Sequence, residues 1–171
     1  MFRPQLIMSL ALIIPFLRFS VNLIKSSIVM GLVHAEIELI NGDDLALVRR
    51  HIIGEEEIKR MTITMLVDTG AINMCINEHV QSYMQFPSQG KRKFSLANGE
   101  VTELEVVSSV EVRFKNRTTE CRAIVLPDDS EMLLGAIPLE DLDVIIDARR
   151  QELDVNPESP DMALMTLKGI R

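Results

Sequence analysis

Apolar and polar residues alternate along short stretches of the chain from Met30 onward, and turn residues separate these stretches. In the segment 33–39, for example, an apolar residue occupies every odd position. A period of two is typical of half-buried β-strands, because successive side chains point to opposite faces of a sheet. The pattern therefore predicts a small β-rich domain rather than a helical bundle.

Two pairs of alternating segments have turn residues between them. Asn98-Gly99 separates Lys93–Ala97 from 101–107, and this dipeptide tolerates the positive φ values of a tight hairpin turn. A second hairpin is predicted around Lys115-Asn116. Further strands are expected at 61–67, 74–76, 144–146 and 152–155.

Helical signals are confined to short segments. Asp43 or Asp44 can cap a first turn inside 41–60, which we expect to be an inserted surface excursion. Asn77 can cap a helix that ends near Met84, and Pro138 suits the first turn of another. The predicted fold class is mostly β with one or two short helices.

The first 29 residues differ in kind from the rest of the chain. They carry three basic residues and no acidic one, and Leu6–Leu17 is a nearly uninterrupted run of apolar residues. A spanning helix needs about 20 apolar residues, which this run does not reach. Three interpretations stay open: a dispensable extension with initiation at Met30, an uncleaved signal, and a tether with membrane contact through residues 6–24. The expected domains are 1–29, 30–157 and a peripheral C-terminal tail at 158–171.

The composition narrows the range of partners and compartments. The chain of 171 residues carries a net charge of −7 and only 4% aromatic residues, so it lacks the positive field and the stacking surfaces that nucleic acids require. Two cysteines are too few for a disulfide scaffold. We therefore expect no nucleic-acid partner and a cytoplasmic location, with membrane tethering through the N-terminal extension as the alternative.

The strongest chemical candidate is the segment Leu66-Val67-Asp68-Thr69-Gly70-Ala71, in which an acid ends an apolar strand and small residues follow. If Asp68 meets a second carboxylate, the pair retains one proton because two adjacent negative charges repel. Such a pair can take a proton from water and donate one to a carbonyl oxygen. Thr69 can supply a supporting hydroxyl, and Gly70 permits close approach of the main chain. The alternative interpretation of this triplet is an ordinary turn at the end of a strand.

Two other sites are alternatives to Asp68. Asp147 also ends an apolar run and could be an intrachain partner, but the following Ala148-Arg149-Arg150 lacks a small-residue loop, so a turn or an ion pair is favoured. Cys75 and His79 are four residues apart and could share one side of a helix, but two ligands alone make a weak zinc site. Core packing is favoured for Cys75 and surface exposure for His79, and no metal is predicted.

The order of three motifs resembles that of retroviral-type aspartic proteases, most closely the small bacterial and archaeal members. These motifs are Leu66–Ala71, the turn Leu96-Ala97-Asn98-Gly99, and Leu133-Leu134-Gly135-Ala136. The resemblance covers about Gly31 to Asn156. It implies a retropepsin-like single-lobe barrel that hydrolyses peptide bonds.

The resemblance also assigns roles to residues. It implies that Asp68 is catalytic within an active-site loop of Thr69, Gly70 and Ala71. It further implies that Ala97, Asn98 and Gly99 belong to a substrate-covering flap, and that Leu133, Leu134 and Gly135 lie beside the loop. Many viral members carry an Arg soon after this last glycine, but Ala136-Ile137-Pro138 stands here, so the ion pair of that Arg is not expected.

A single Asp-Thr-Gly implies that two chains must combine to supply two aspartates. The expected partners are a second copy of the chain and a peptide substrate, and no cofactor is expected. The alternative is a noncatalytic peptide-binding or dimerisation module on the same fold.

Overall fold

The computed structural model describes residues 32–96 and 99–165. The described part of the chain contains nine β-strands, three short α-helices and one 3₁₀ turn at Glu55–Glu57. The strands are β1 (Val33–Asn41), β2 (Arg60–Val67), β3 (Met74–Asn77), β4 (Ser88–Ser95), β5 (Val101–Phe114), β6 (Arg117–Leu126), β7 (Leu133–Leu134), β8 (Val144–Asp147) and β9 (Glu152–Val155). The helices are α1 (Gly42–Arg49), α2 (Glu78–Met84) and α3 (Ala136–Asp141).

Seven strands form one sheet in the order β1-β2-β7-β3-β6-β5-β4, and β1 also pairs with β5. Six of these strands therefore form a closed ring, which leaves only β4 outside it. Strands β8 and β9 make a separate two-stranded sheet. The mostly β character predicted from the alternation is confirmed, and the barrel is closed.

The core fills the inside of this ring with aliphatic side chains. Ile37, Leu39, Met65, Met74 and Ile76 are fully buried there. They occupy alternate positions of β1, β2 and β3, because only one face of each strand points inward.

Both predicted hairpins are present. β4 and β5 pair antiparallel up to Ser95 and Val101, and β5 and β6 pair up to Phe114 and Arg117. Lys115 takes a positive φ of 52° in the second turn. Ala97 and Asn98, at the tip of the first hairpin, lie outside the described residues, as does the extension at 1–29.

The helix in the 41–60 excursion is capped differently from the prediction. The Asn41 side chain, not that of Asp43 or Asp44, accepts the hydrogen bonds of the first turn. Asp44 instead accepts from the Lys59 main chain at 3.0 Å and pairs with the Lys59 ammonium. Asn41 is the better cap because it ends β1 in an extended conformation, which places its side chain over the open N–H groups.

The other predicted helix starts are confirmed. The Asn77 side chain accepts from the Val80 N–H at 3.0 Å and starts α2, which ends at Met84. Pro138 lies in the first turn of α3. No helix within 32–96 or 99–165 is long and apolar enough to cross a membrane.

The segment after Pro157, predicted to be peripheral, is tied to the domain through residue 164. Asp143 accepts hydrogen bonds from the Ser159 hydroxyl and from the Leu164 N–H. The buried Arg117 guanidinium donates to the Ser159 carbonyl. The sequence pattern missed these contacts because they join polar residues that are distant along the chain.

Candidate active site

Asp68 lies directly after β2, where the strand leaves the sheet. The Asp68 N–H donates to the Leu134 carbonyl at 3.1 Å, so the first residue of the loop is fixed to β7. One carboxylate oxygen of Asp68 accepts from the Gly70 N–H at 2.8 Å. Asp68 is half-buried, whereas Thr69 and Gly70 are exposed. The loop therefore presents a positioned carboxylate at the surface of the domain.

Strand β7 holds the loop from behind. Leu133 and Leu134 pair in parallel with Leu66 and Val67, and Leu133 also pairs with Cys75 of β3. β7 thus lies between the strand that enters the Asp68 loop and the strand that leaves it. Main-chain pairing on both sides fixes the loop ends, which supports a rigid site.

Gly135 completes this support because it has no side chain. A Cβ on Gly135 would lie 2.3 Å from the Asn73 carbonyl oxygen and 2.8 Å from that of Ala71. The Ala136 N–H then donates to the Ala71 carbonyl at 2.7 Å. The predicted loop residues and the Leu133-Leu134-Gly135 segment are therefore in direct contact.

The hairpin tip is described only at its edges. The Gly99 N–H donates to the Leu96 carbonyl at 2.9 Å, and Gly99 has a φ of 84°, which favours glycine. Leu96 and Val101 are 43% and 66% exposed, so the described part of the tip presents apolar side chains to solvent. Ala97 and Asn98 lie outside the described residues, and the flap assignment stays a prediction.

The competing candidates have other surroundings. One carboxylate oxygen of Asp147 accepts from the N–H groups of Arg149 and Arg150, which is the turn role that the sequence favoured. Cys75 lies on β3, whereas His79 lies on α2, so the two do not share a helix face. Cys75 is buried and His79 is exposed.

Cys75 is a neighbour of Asp68, although no local sequence pattern links the two residues. Burial, and secondarily the negative charge of Asp68, raise the pKa of the Cys75 thiol to about 11. The second thiol, that of the half-buried Cys121, has its pKa raised to about 12, again chiefly by desolvation. Both thiols are therefore protonated at neutral pH, and Cys75 adds a small apolar surface beside Asp68.

The sequence was also compared with those of known families. The sequence model of the family described as "gag-polyprotein putative aspartyl protease" matches residues 55–141, about half of the chain. The match includes the Asp68 loop, the β4–β5 hairpin and β7. The chain belongs to this family of aspartyl proteases, and the predicted retropepsin-like fold class is confirmed.

Among solved structures, the chain is similar to the EIAV protease complexed with the inhibitor HBY-793. The two share 18% sequence identity, and the match covers 67% of this chain and 90% of that one with a TM-score of 0.48. No curated protein matches the chain. The comparisons do not support the narrower resemblance to bacterial and archaeal members.

Proposed function

We propose that the protein is an aspartic endopeptidase whose active form is a homodimer, with one Asp68 from each chain. The observation that carries this proposal is the half-buried Asp68 carboxylate, which is held by the Gly70 N–H at 2.8 Å. Membership of the aspartyl protease family supports hydrolysis of peptide bonds as the reaction.

The proposed mechanism needs a second carboxylate, and the symmetry of a homodimer supplies it. Two adjacent carboxylates share one proton because their charges repel. The ionised Asp68 would take a proton from a water molecule, whose oxygen then attacks the carbonyl carbon of the peptide bond. The protonated Asp68 would donate its proton towards the carbonyl oxygen, and the C–N bond breaks when the amine nitrogen receives a proton. All groups come from the protein and water, so no cofactor is proposed.

The loop geometry supports this assignment of roles. Thr69 would stabilise the loop, and Gly70 holds the carboxylate through its N–H. The hairpin around Gly99 would cover a bound peptide and exclude solvent. An extended substrate would be held by main-chain hydrogen bonds and by apolar pockets.

The test compares wild-type protein with the Asp68→Asn variant, in which an amide of nearly the same shape replaces the titrating group. Cleavage of an unfolded protein substrate is measured between about pH 4 and pH 7, the range in which carboxyl dyads work. The variant should lose activity by about 100-fold or more, because acid–base catalysis supplies that factor. Sedimentation of both proteins shows whether the variant still dimerises.

Asp147→Asn is the matched control, because Asp147 also ends an apolar strand and also accepts from main-chain N–H groups. This control should cleave like wild type. Equal cleavage by wild type and Asp68→Asn would contradict the catalytic role. Peptide binding without cleavage by either protein would instead favour the noncatalytic module.

A further inference from the structure

The sheet has a second face, opposite the core, which begins beside Asp68. Paired residues of neighbouring strands project to the same face. Cys75 pairs with Ile124, and Ile124 pairs with Val106, so these three side chains form a row across β3, β6 and β5. None of the three belongs to the core cluster inside the ring, whose members in these strands occupy the alternate positions, although Cys75 and Val106 are only 8% and 3% exposed. The row is apolar. At one end of it, the negative charge of Asp68 adds to the effect of burial in raising the pKa of Cys75.

A small cavity of about 80 Å³ lies at the other end of this row. Its apolar wall consists of Phe94, Val106 and Ile124, together with the buried Ala123. Its polar lining consists of Asn73, Arg92 and Arg122. No acidic residue lines it.

Arg92 and Arg122 come from strands that do not pair with each other. Arg92 pairs with Leu104 on β5, and Arg122 precedes Ala123 on β6. Among the described residues neither arginine forms an ion pair, whereas Arg113 pairs with Glu111 and Arg150 with Glu152. Two unpaired guanidinium groups on one cavity attract an anion, and their planar forks match a carboxylate.

The cavity connects with the Asp68 loop through Asn73. Asn73 follows Asp68 by five residues, and its carbonyl packs against Gly135. Asn73 and Arg122 also line a larger neighbouring cavity of about 590 Å³, which extends to Ile137 at the start of α3. The two cavities are therefore contiguous at Asn73 and Arg122, next to the segment that follows the Asp68 loop.

We propose that Arg92 and Arg122 form a specificity subsite that binds an Asp or Glu side chain of the peptide substrate. This inference rests on the proposed function, because it names the substrate class of the same site. The subsite selects peptides with an acidic residue a few positions from the cleaved bond and apolar residues nearer to it. The chain supplies this local positive charge although its net charge is −7.

The test uses a positional library of short apolar peptides in which one position at a time is Glu, Gln or Lys. The quantity measured is kcat/KM for each peptide with wild type and with the variants Arg92→Gln, Arg122→Gln and Arg122→Glu. At one position, wild type should prefer Glu over Gln by about fivefold, as expected for a partly exposed ion pair. Each Gln variant should reduce this preference, and Arg122→Glu should shift it towards Lys. Arg150→Gln, which alters an exposed arginine in the turn between β8 and β9, is the matched control and should keep the preference.

Binding of the same library to the Asp68→Asn variant separates the two hypotheses. Cleavage with no difference between Glu and Gln at any position would overturn the subsite and leave the protease assignment intact. Absence of cleavage, with tighter binding of a Glu peptide that Arg122→Gln removes, would support the subsite and contradict the protease. A reversal from Glu to Lys in Arg122→Glu would not arise from misfolding, so this variant keeps the proposal testable if the Gln variants are unstable.

Discussion

At the scale of single residues, Gly135 is the residue whose replacement most directly tests the support of the Asp68 loop. An added methyl group would overlap the carbonyl oxygens of Asn73 and Ala71. We expect Gly135→Ala to lower the free energy of unfolding by about 2–3 kcal/mol, as for overpacked sites. We also expect it to reduce peptide cleavage, because the loop must shift. Urea unfolding and a cleavage assay measure the two effects.

The control is Gly90→Ala, since Gly90 has no heavy atom within 4 Å of the added Cβ but has a positive φ of 85°. It should cost only about 1 kcal/mol, the price of a left-handed conformation. Because Gly135 has an extended φ of −81°, its replacement carries no left-handed strain, and a loss no larger than that of Gly90→Ala would contradict the clash with the loop.

Burial, and secondarily the negative charge of Asp68, suppress ionisation of the Cys75 thiol. Its pKa of about 11, against an ordinary 9.0, makes the thiolate fraction at about pH 8 roughly 100-fold smaller than in a free thiol. Alkylation of Cys75 should therefore be slow in wild type. In Asp68→Asn the negative charge is gone, the pKa falls, and alkylation should accelerate. Mass mapping distinguishes Cys75 from Cys121, whose rate should not change. An unchanged Cys75 rate would show that burial alone suppresses ionisation of this thiol.

At the scale of elements, the segment from Asn156 to Leu164 is held by Asp143. Hydrogen bonds from Ser159, Asn156 and Leu164, with a smaller contribution from the Arg117 charge, lower the pKa of Asp143 to about 2 from an ordinary 3.8. Because the pKa of Asp143 is lower in the folded than in the unfolded protein, its ionised carboxylate stabilises the fold at pH values above the unfolded-state pKa. This stabilisation is lost as the pH falls from 3.8 towards about 2.

We therefore expect Asp143→Asn to lower the thermal midpoint near pH 5, with a difference from wild type that shrinks towards about pH 2. Midpoints measured across this range test the expectation. The control is Asp129→Asn, an exposed residue with no hydrogen bond to the described part of the chain. A constant difference between Asp143→Asn and wild type at every pH would contradict the role of the charge.

At the scale of the whole molecule, exposed isoleucines surround the Asp68 loop. Ile72 is 68% exposed and Ile137 is 43% exposed, and the Ile137 N–H donates to the Ile72 carbonyl at 3.1 Å. Burial of these side chains against a second copy would stabilise a homodimer. We expect Ile72→Asp to weaken dimerisation and, with it, cleavage at low protein concentration. Sedimentation over a concentration series measures the first effect.

Ile52→Asp is the control, since Ile52 is 62% exposed and follows α1. Helix α1 follows the C-terminal end of β1, whereas the N-terminal end of β1 pairs with Val67, which precedes Asp68. The control should therefore dimerise like wild type. Full activity of a strictly monomeric wild-type protein would refute the homodimer.

The sequence by itself determined much of this molecule, because its strongest signals are local. Alternation predicts strands such as β1, Asn77 predicts the start of α2, and the glycine after Asn98 predicts a hairpin, since each depends on a few adjacent residues. The Asp-Thr-Gly motif likewise predicts Asp68 as the candidate catalytic group from adjacent letters.

Only the tertiary structure decided which distant residues meet. The pairing of β5 with β4 on one side and with β6 on the other brings Arg92 and Arg122 to one cavity, although thirty positions of chain separate them. The closure of the ring by β1 and β5, and the contact between Arg117 and Ser159, are of the same kind. Local propensity cannot encode such contacts, because strand order and register are set by burial of the whole core at once.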